Sequence, residues 1–267
     1  MSSPRPLHLI SLGSSFAAGP GIPPLSSPSA ARSSKNYACL LSSHFSFQHT
    51  DLTVSGAILP NITSEPQVLN GTTFPPQISG VTEDADIITI TGGGNDLQYV
   101  GGLIMDELQS TWVGKLFSLF NPRGQPEPPV SVDELAGRFV SVLDAVHAKA
   151  PKAKIYLVGY LTLLSPSTKS GVHVSLSEEL IKKYQQIAVN LRQAYLKAAE
   201  ARSEWCQLVD VAEMSKDHGI LTDEPWVEGL SIGSFWNGNP MHPNERGMRA
   251  VADMLIERLE GDGFVVA

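Results

Sequence analysis

The chain has 267 residues, a formal net charge of −8 and two cysteines. An acidic balance without a basic cluster argues against nucleic acid and anionic membrane surfaces as partners, and no apolar run reaches the roughly 20 residues of a membrane span. Two cysteines cannot build a disulfide framework or a multi-cysteine zinc site; Cys39 and Cys206 are expected as buried thiols, a single bridge between them being the other arrangement.

In chain order, the opening Met-Ser-Ser-Pro-Arg-Pro runs into His8-Leu9-Ile10-Ser11-Leu12. This stretch is too short for a signal-peptide core, so a cytoplasmic location is expected, with a secreted mature form as the alternative. It opens the first of five expected strands: Leu7 to Leu12, Asp51 to Val54, Asp86 to Thr91, Lys154 to Tyr160 and Gln207 to Val211. Their apolar residues run continuously rather than alternating, the pattern of strands buried on both faces in a parallel sheet.

Helical patterns lie between the strands. Leu103, Leu108, Trp112, Leu116, Phe117 and Phe120 fall at helical spacing, and the Pro-rich stretch Asn121 to Val130 reads as a surface loop. Ser131-Val132-Asp133-Glu134 reads as a capping box ahead of the stripe Leu135, Phe139, Val142, Leu143 and Val146. Ser175-Leu176-Ser177-Glu178 repeats that signal ahead of Leu180, Tyr184, Ile187, Leu191 and Tyr195. The last helix starts near Asn244 and carries Met248, Val251, Leu255 and Leu259. Strands alternating with helices of this size predict right-handed βαβ crossovers in a three-layer α/β/α fold, expected as one domain over residues 1–267.

Three loop motifs follow strands or precede the last helix. Gly13-Ser14-Ser15-Phe16 comes directly after the first strand, at the end where open parallel sheets bind ligands. Gly92-Gly93-Gly94-Asn95-Asp96 follows the third strand, where the glycines allow close backbone approach and Asn95 offers an amide N–H to a developing oxyanion. A phosphate cradle there lacks both the P-loop lysine and the dinucleotide glycine spacing; a helix cap by Asn95 or Asp96 is compatible with either reading. Asn239-Pro240-Met241-His242-Pro243-Asn244 sets one of seven histidines where a general base would serve.

Taken together these blocks resemble the GDSL, or SGNH, hydrolase family: an early Gly-Asp-Ser block, an isolated glycine, a Gly-x-Asn-Asp block and a C-terminal Asp-x-x-His-Pro block. The resemblance runs from Leu7 to the last helix. It implies a flavodoxin-like sheet of about five strands, Ser15 as nucleophile and His242 as general base. It also implies an oxyanion hole formed by Ser15, by Gly56 of Val54-Ser55-Gly56-Ala57 and by Asn95. Two positions depart from the family pattern. Ser14 stands where the family has Asp, and Asn239 stands three before His242, again in place of Asp. Asn239 can still accept from the imidazole and set its tautomer; a backbone carbonyl near His242 could do the same, and Asp217 and Asp223 are remoter acids.

The chemistry so implied is hydrolysis of carboxylic esters through an acyl-enzyme, without metal or organic cofactor, on a small-molecule ester such as a lipid or an acylated sugar. Acyl transfer on the same site and a decayed binding protein of the same fold are the alternatives. Trp226, Phe235 and Trp236 could wall the site. Gly229-Leu230-Ser231-Ile232-Gly233 imitates the G-x-S-x-G nucleophile elbow, but no plausible central strand precedes Ser231 and no acid separates it from His242, so the match is read as accidental.

Overall fold

A computed structural model describes residues 5–110 and 130–266. Five parallel strands form the central sheet: β1 His8–Gly13, β2 Gln48–Asp51, β3 Ile87–Thr91, β4 Lys154–Val158 and β5 Cys206–Val209. They lie in the order β2-β1-β3-β4-β5, the doubly wound order expected of a flavodoxin-like sheet. β1 and β3 are buried along their whole length, and Gly13 pairs with Thr91 where both strands end.

The second strand lies earlier than the hydrophobic pattern suggests. β2 is an edge strand of polar, mostly half-exposed residues, Gln48-His49-Thr50-Asp51, which carry little apolar signal. Leu52 and Val54 supply that signal but belong to the following loop, which Leu52 N–H to Ser11 O (2.9 Å) and Val54 N–H to Gly13 O (3.1 Å) hold against β1. β4 likewise ends at Val158, leaving Tyr160 free to enter the loop above the sheet.

The helices are α1 Ser15–Ala18, α2 Tyr37–Phe45, α3 Leu59–Thr63, α4 Tyr99–Ser110, α5 Val132–Lys149, α6 Glu178–Ala201, α7 Val211–Met214, α8 Ile232–Asn237 and α9 Glu245–Gly261. α2 packs on α9, and α5 on α6; right-handed crossovers set these two pairs on opposite faces of the sheet, which gives the three layers. The stripe Leu135, Phe139, Val142, Leu143 and Val146 of α5 is buried, and the Ser131 hydroxyl accepts from the Glu134 N–H at 3.1 Å. α6 is capped by Ser177 rather than Ser175: the N–H groups of Ser175 and Leu176 instead donate to the buried carboxylate of Glu107. Asn244 caps α9 by accepting from the Gly247 N–H at 2.9 Å.

Both cysteines are free thiols; Cys206 is buried and Cys39 only half-buried. Burial pushes the Cys39 thiol up to about 11 and the Cys206 thiol up to about 12. Among the described residues no helix is long and apolar enough to cross a membrane. Leu103 is buried in α4, while Trp112, Leu116, Phe117, Phe120 and residues 121–129 lie outside the described residues.

Candidate active site

The carboxyl end of β1 is fixed by close backbone packing. Gly13 has φ +139°, and a Cβ there would lie 2.1 Å from the Thr91 carbonyl oxygen, so only glycine fits. The Ser14 N–H donates to that same oxygen at 2.9 Å. Gln77 clasps Gly13 from both sides, its Oε1 accepting from the Gly13 N–H at 2.7 Å and its Nε2 donating to the Gly13 carbonyl at 2.9 Å. The chain then turns directly into α1. Ser15 is its first residue, so the Ser15 N–H has no intrahelical acceptor.

Ser14 occupies the position of the family's aspartate in a different way. Its hydroxyl is fully buried and shares a 2.6 Å hydrogen bond with the Tyr160 hydroxyl. Burial holds the Tyr160 phenol well above its usual range, so it stays neutral. The Tyr160 ring stacks on Phe16 at 4.1 Å and fills the space a Cβ on Gly94 would need, 2.4 Å from that ring. One side chain thus ties the block carrying Ser15 to the glycine block of β3. Tyr160 continues the apolar run of β4, so nothing in its local sequence marks it for this role.

The turn Val54-Ser55-Gly56-Ala57 lies beside this end of β1. Its backbone donors can be accounted for one by one. From Leu52 to Leu59 the N–H groups of Leu52, Val54, Ser55 and Ala57 bond backbone carbonyls, while those of Thr53, Ile58 and Leu59 bond the side chains of Asp51, Asn61 and Asp96. Gly56 alone in this run has an N–H without an acceptor among the described residues, and it is exposed. Asn95 reaches the same turn, its Nδ2 donating to the Ala57 carbonyl at 2.8 Å and keeping a second amide N–H. Asp96 is the cap that motif offers, though for α3 rather than for a helix of its own: its buried carboxylate accepts from the Leu59 N–H at 3.1 Å and faces Arg138 at 3.4 Å. Burial raises the Asp96 carboxyl pKa against the opposing pull of these partners.

His242 arrives from the other end of the chain. Its Nε2 lies 2.9 Å from the Ser15 hydroxyl oxygen, and its Nδ1 lies 2.7 Å from the Pro240 carbonyl oxygen. The expected role of Asn239 is therefore corrected. The Asn239 Oδ1 is buried without a hydrogen bond among the described residues, and only its backbone carbonyl touches this loop's histidine, accepting from the His242 N–H at 3.1 Å. Met241 sits in the left-handed region at φ +57°, a local bend that folds the ring back over the Pro240 carbonyl. Neither Asp217 nor Asp223 hydrogen-bonds to the His242 ring, whose two nitrogens face Ser15 and Pro240. The loop itself is braced by Glu228, whose N–H donates to the His242 carbonyl at 2.8 Å and whose carbonyl accepts from the Met241 N–H at 3.1 Å.

With no carboxylate on Nδ1, burial dominates the imidazole and lowers its pKa to about 4, the Pro240 carbonyl opposing that shift. The ring is neutral at pH 7. An acceptor at Nδ1 makes that nitrogen the protonated one, which leaves the Nε2 lone pair facing the Ser15 hydroxyl.

Ser231 is the N-cap of α8, accepting from the Ser234 N–H at 3.0 Å, so the elbow-like pentapeptide is a helix start rather than a strand-to-helix turn. Phe235 and Trp236 are exposed, Trp236 at 86%, while Trp226 stacks flat on His218 at 3.9 Å. The Pro240 carbonyl is the backbone alternative expected for orienting His242, though no motif says which residue supplies it, and Gln77 and Tyr160 carry no local signal of their roles.

Solved structures share this fold. A phospholipase A1 from Streptomyces albidoflavus aligns with a TM-score of 0.73 at 20% identity, covering 95% of this chain and 99% of that one. An extracellular lipase from Streptomyces rimosus aligns at 0.70 and 20% identity, covering 94% and 99%. In sequence, Lipase 2 of Streptomyces coelicolor is 26% identical over 95% of this chain and 86% of its own length. Residues 11–250 match the family model of the GDSL-like Lipase/Acylhydrolase family. The blocks around Ser15, Asn95 and His242 all lie inside that match, and the chain belongs to this family as a carboxylic ester hydrolase of the esterase or lipase type.

Proposed function

We propose that the chain hydrolyses acyl esters through an acyl-enzyme on Ser15, within one hydrolase domain. The observation that carries this reading is the 2.9 Å contact between Ser15 Oγ and His242 Nε2, with Nδ1 held by the Pro240 carbonyl. His242 Nε2 takes the hydroxyl proton as Ser15 Oγ attacks the ester carbonyl carbon. The carbonyl oxygen becomes an oxyanion, received by the N–H groups of Ser15 and Gly56 and by the Asn95 amide. As the tetrahedral adduct collapses, the Nε2 proton passes to the departing alcohol. Water then gives its proton to Nε2 and attacks the acyl carbon; the second collapse releases the acid and returns the proton to Ser15.

The orienting group is a neutral carbonyl dipole, so the imidazolium formed in each step draws its stabilisation from that dipole and from the neighbouring oxyanion. A lipid acyl ester is the substrate class this reading favours, supported by the lipase and phospholipase A1 named among the similar proteins. The test is a p-nitrophenyl ester series of increasing acyl length with wild type and Ser15→Ala, together with labelling by a fluorophosphonate. Ser15→Ala is expected to lose roughly 10⁴-fold or more in kcat and all labelling. Full activity in that variant would end the assignment.

A further inference from the structure

A four-residue turn like the one holding Gly56 belongs to a class with two common forms, which differ in how the middle peptide is rotated. The Ala57 N–H donates to the Val54 carbonyl at 3.2 Å, and Gly56 in the third position has φ +81° while Ser55 stays at negative φ, which defines a type II turn. Types I and II differ by a half-rotation of the middle peptide, here the unit made of the Ser55 C=O and the Gly56 N–H. A trans peptide points its C=O and N–H in opposite directions. Whatever holds the Ser55 oxygen therefore also aims the Gly56 N–H.

That oxygen is held by Gln67, whose Nε2 donates to it at 2.7 Å from the short antiparallel hairpin Gln67–Leu69/Thr72–Phe74. The rest of Ser55 cannot set the flip: its N–H donates to the Ala30 carbonyl and its hydroxyl to the Ala31 carbonyl, both on the near side of the residue. The Gln67 Oε1 is buried and makes no hydrogen bond among the described residues. A carboxamide that satisfies one end and leaves the other orphaned is a poor stabilising element, since an unpaired buried acceptor is costly. Its paired end is the one that touches the peptide.

We propose that Gln67 is a positioning residue of the oxyanion hole: by pinning the Ser55 carbonyl it keeps the Gly56 N–H turned toward the Ser15 side of the turn. This rests on the reading of Gly56 and Asn95 as oxyanion donors. Gln67 touches no reacting atom; it acts through the peptide it holds.

The experiment compares wild type, Gln67→Met and Asn95→Ala for kcat and KM on a p-nitrophenyl ester, inhibition by an alkylboronic acid, pH profile and Tm. Methionine keeps the shape, removes the donor and removes the orphaned oxygen. The expected result for Gln67→Met is a kcat ten- to a hundredfold lower, boronate inhibition weakened by a similar factor, and KM within twofold. Its acid limb and Tm should stay unchanged. Asn95→Ala is expected to lose kcat a hundredfold or more. If Gln67→Met keeps full kcat while Asn95→Ala loses it, the positioning role is overturned and the donor reading stands. A loss in Gln67→Met accompanied by a lower Tm and a raised KM also overturns it, in favour of a merely structural role. If neither variant changes kcat or boronate inhibition, the donor reading itself fails, and the role of Gln67 with it.

Discussion

The turn that carries Ser15 and the loop that carries His242 meet at the 2.9 Å contact of Ser15 with His242 and at the Phe16 ring, but are built in different ways. The Ser15 turn is enclosed: Gly13 lies against the Thr91 backbone, Gln77 clasps it from two sides, and the Ser14 and Tyr160 hydroxyls pair in full burial. The His242 loop follows a helix whose Phe235 and Trp236 face solvent, and among the described residues the ring's far nitrogen is held by the Pro240 carbonyl alone. Ser15 is thus positioned by the sheet, with no room for another residue at Gly13. His242 is positioned by a backbone bend at Met241 that pairing with Glu228 braces. One region should fail by unfolding, the other by a change in its titration.

The largest effect is expected at the enclosed turn. Gly13→Ala combines a φ that L side chains rarely adopt with a backbone clash, and should cost about 3–5 kcal/mol. Chemical denaturation would measure it, and a loss below about 1 kcal/mol would show that the packing around Gly13 is not rigid.

The titration of His242 comes next. His242 has its pKa lowered to about 4, so the imidazole is neutral above that value, and kcat/KM should hold constant down to about pH 5 and fall as the ring protonates. Asn239→Asp adds a negative charge three residues away. Negative charge favours the imidazolium, so the acid limb should move up by about one pH unit or more. An unmoved limb would mean that position 239 is decoupled from the ring in charge as well as in hydrogen bonding.

The smallest effect sharpens the comparison from outside both regions. Ser231→Ala removes the cap of α8 and should cost about 0.5–1 kcal/mol, leaving kcat within twofold. A loss of activity comparable to that of Ser15→Ala would reverse the assignment of the nucleophile.

Much of this architecture was legible beforehand. The continuous apolar runs of β1 and β3 and the stripes of α5, α6 and α9 carry their own period, so element type and the three-layer arrangement follow from local pattern. β2 was misplaced because an edge strand needs no apolar run, and the Ser175 cap was misassigned because Glu107, 68 residues away in the chain, takes its N–H. Ser15, Gly56, Asn95 and His242 were legible as side chains or glycines within motifs. Gln67, Gln77 and Tyr160 were not, since each acts on a partner at least 12 residues distant.

The sequence by itself determined the elements, their order and the residue types able to do acyl chemistry, because periodicity, caps and glycine turns are local properties. Only the tertiary structure decided which groups serve each other. It set the Pro240 carbonyl, not the Asn239 side chain, on His242, and it left the Gly56 N–H as the unspent donor of its run. Backbone groups are identical in every residue, so their roles are written in geometry alone.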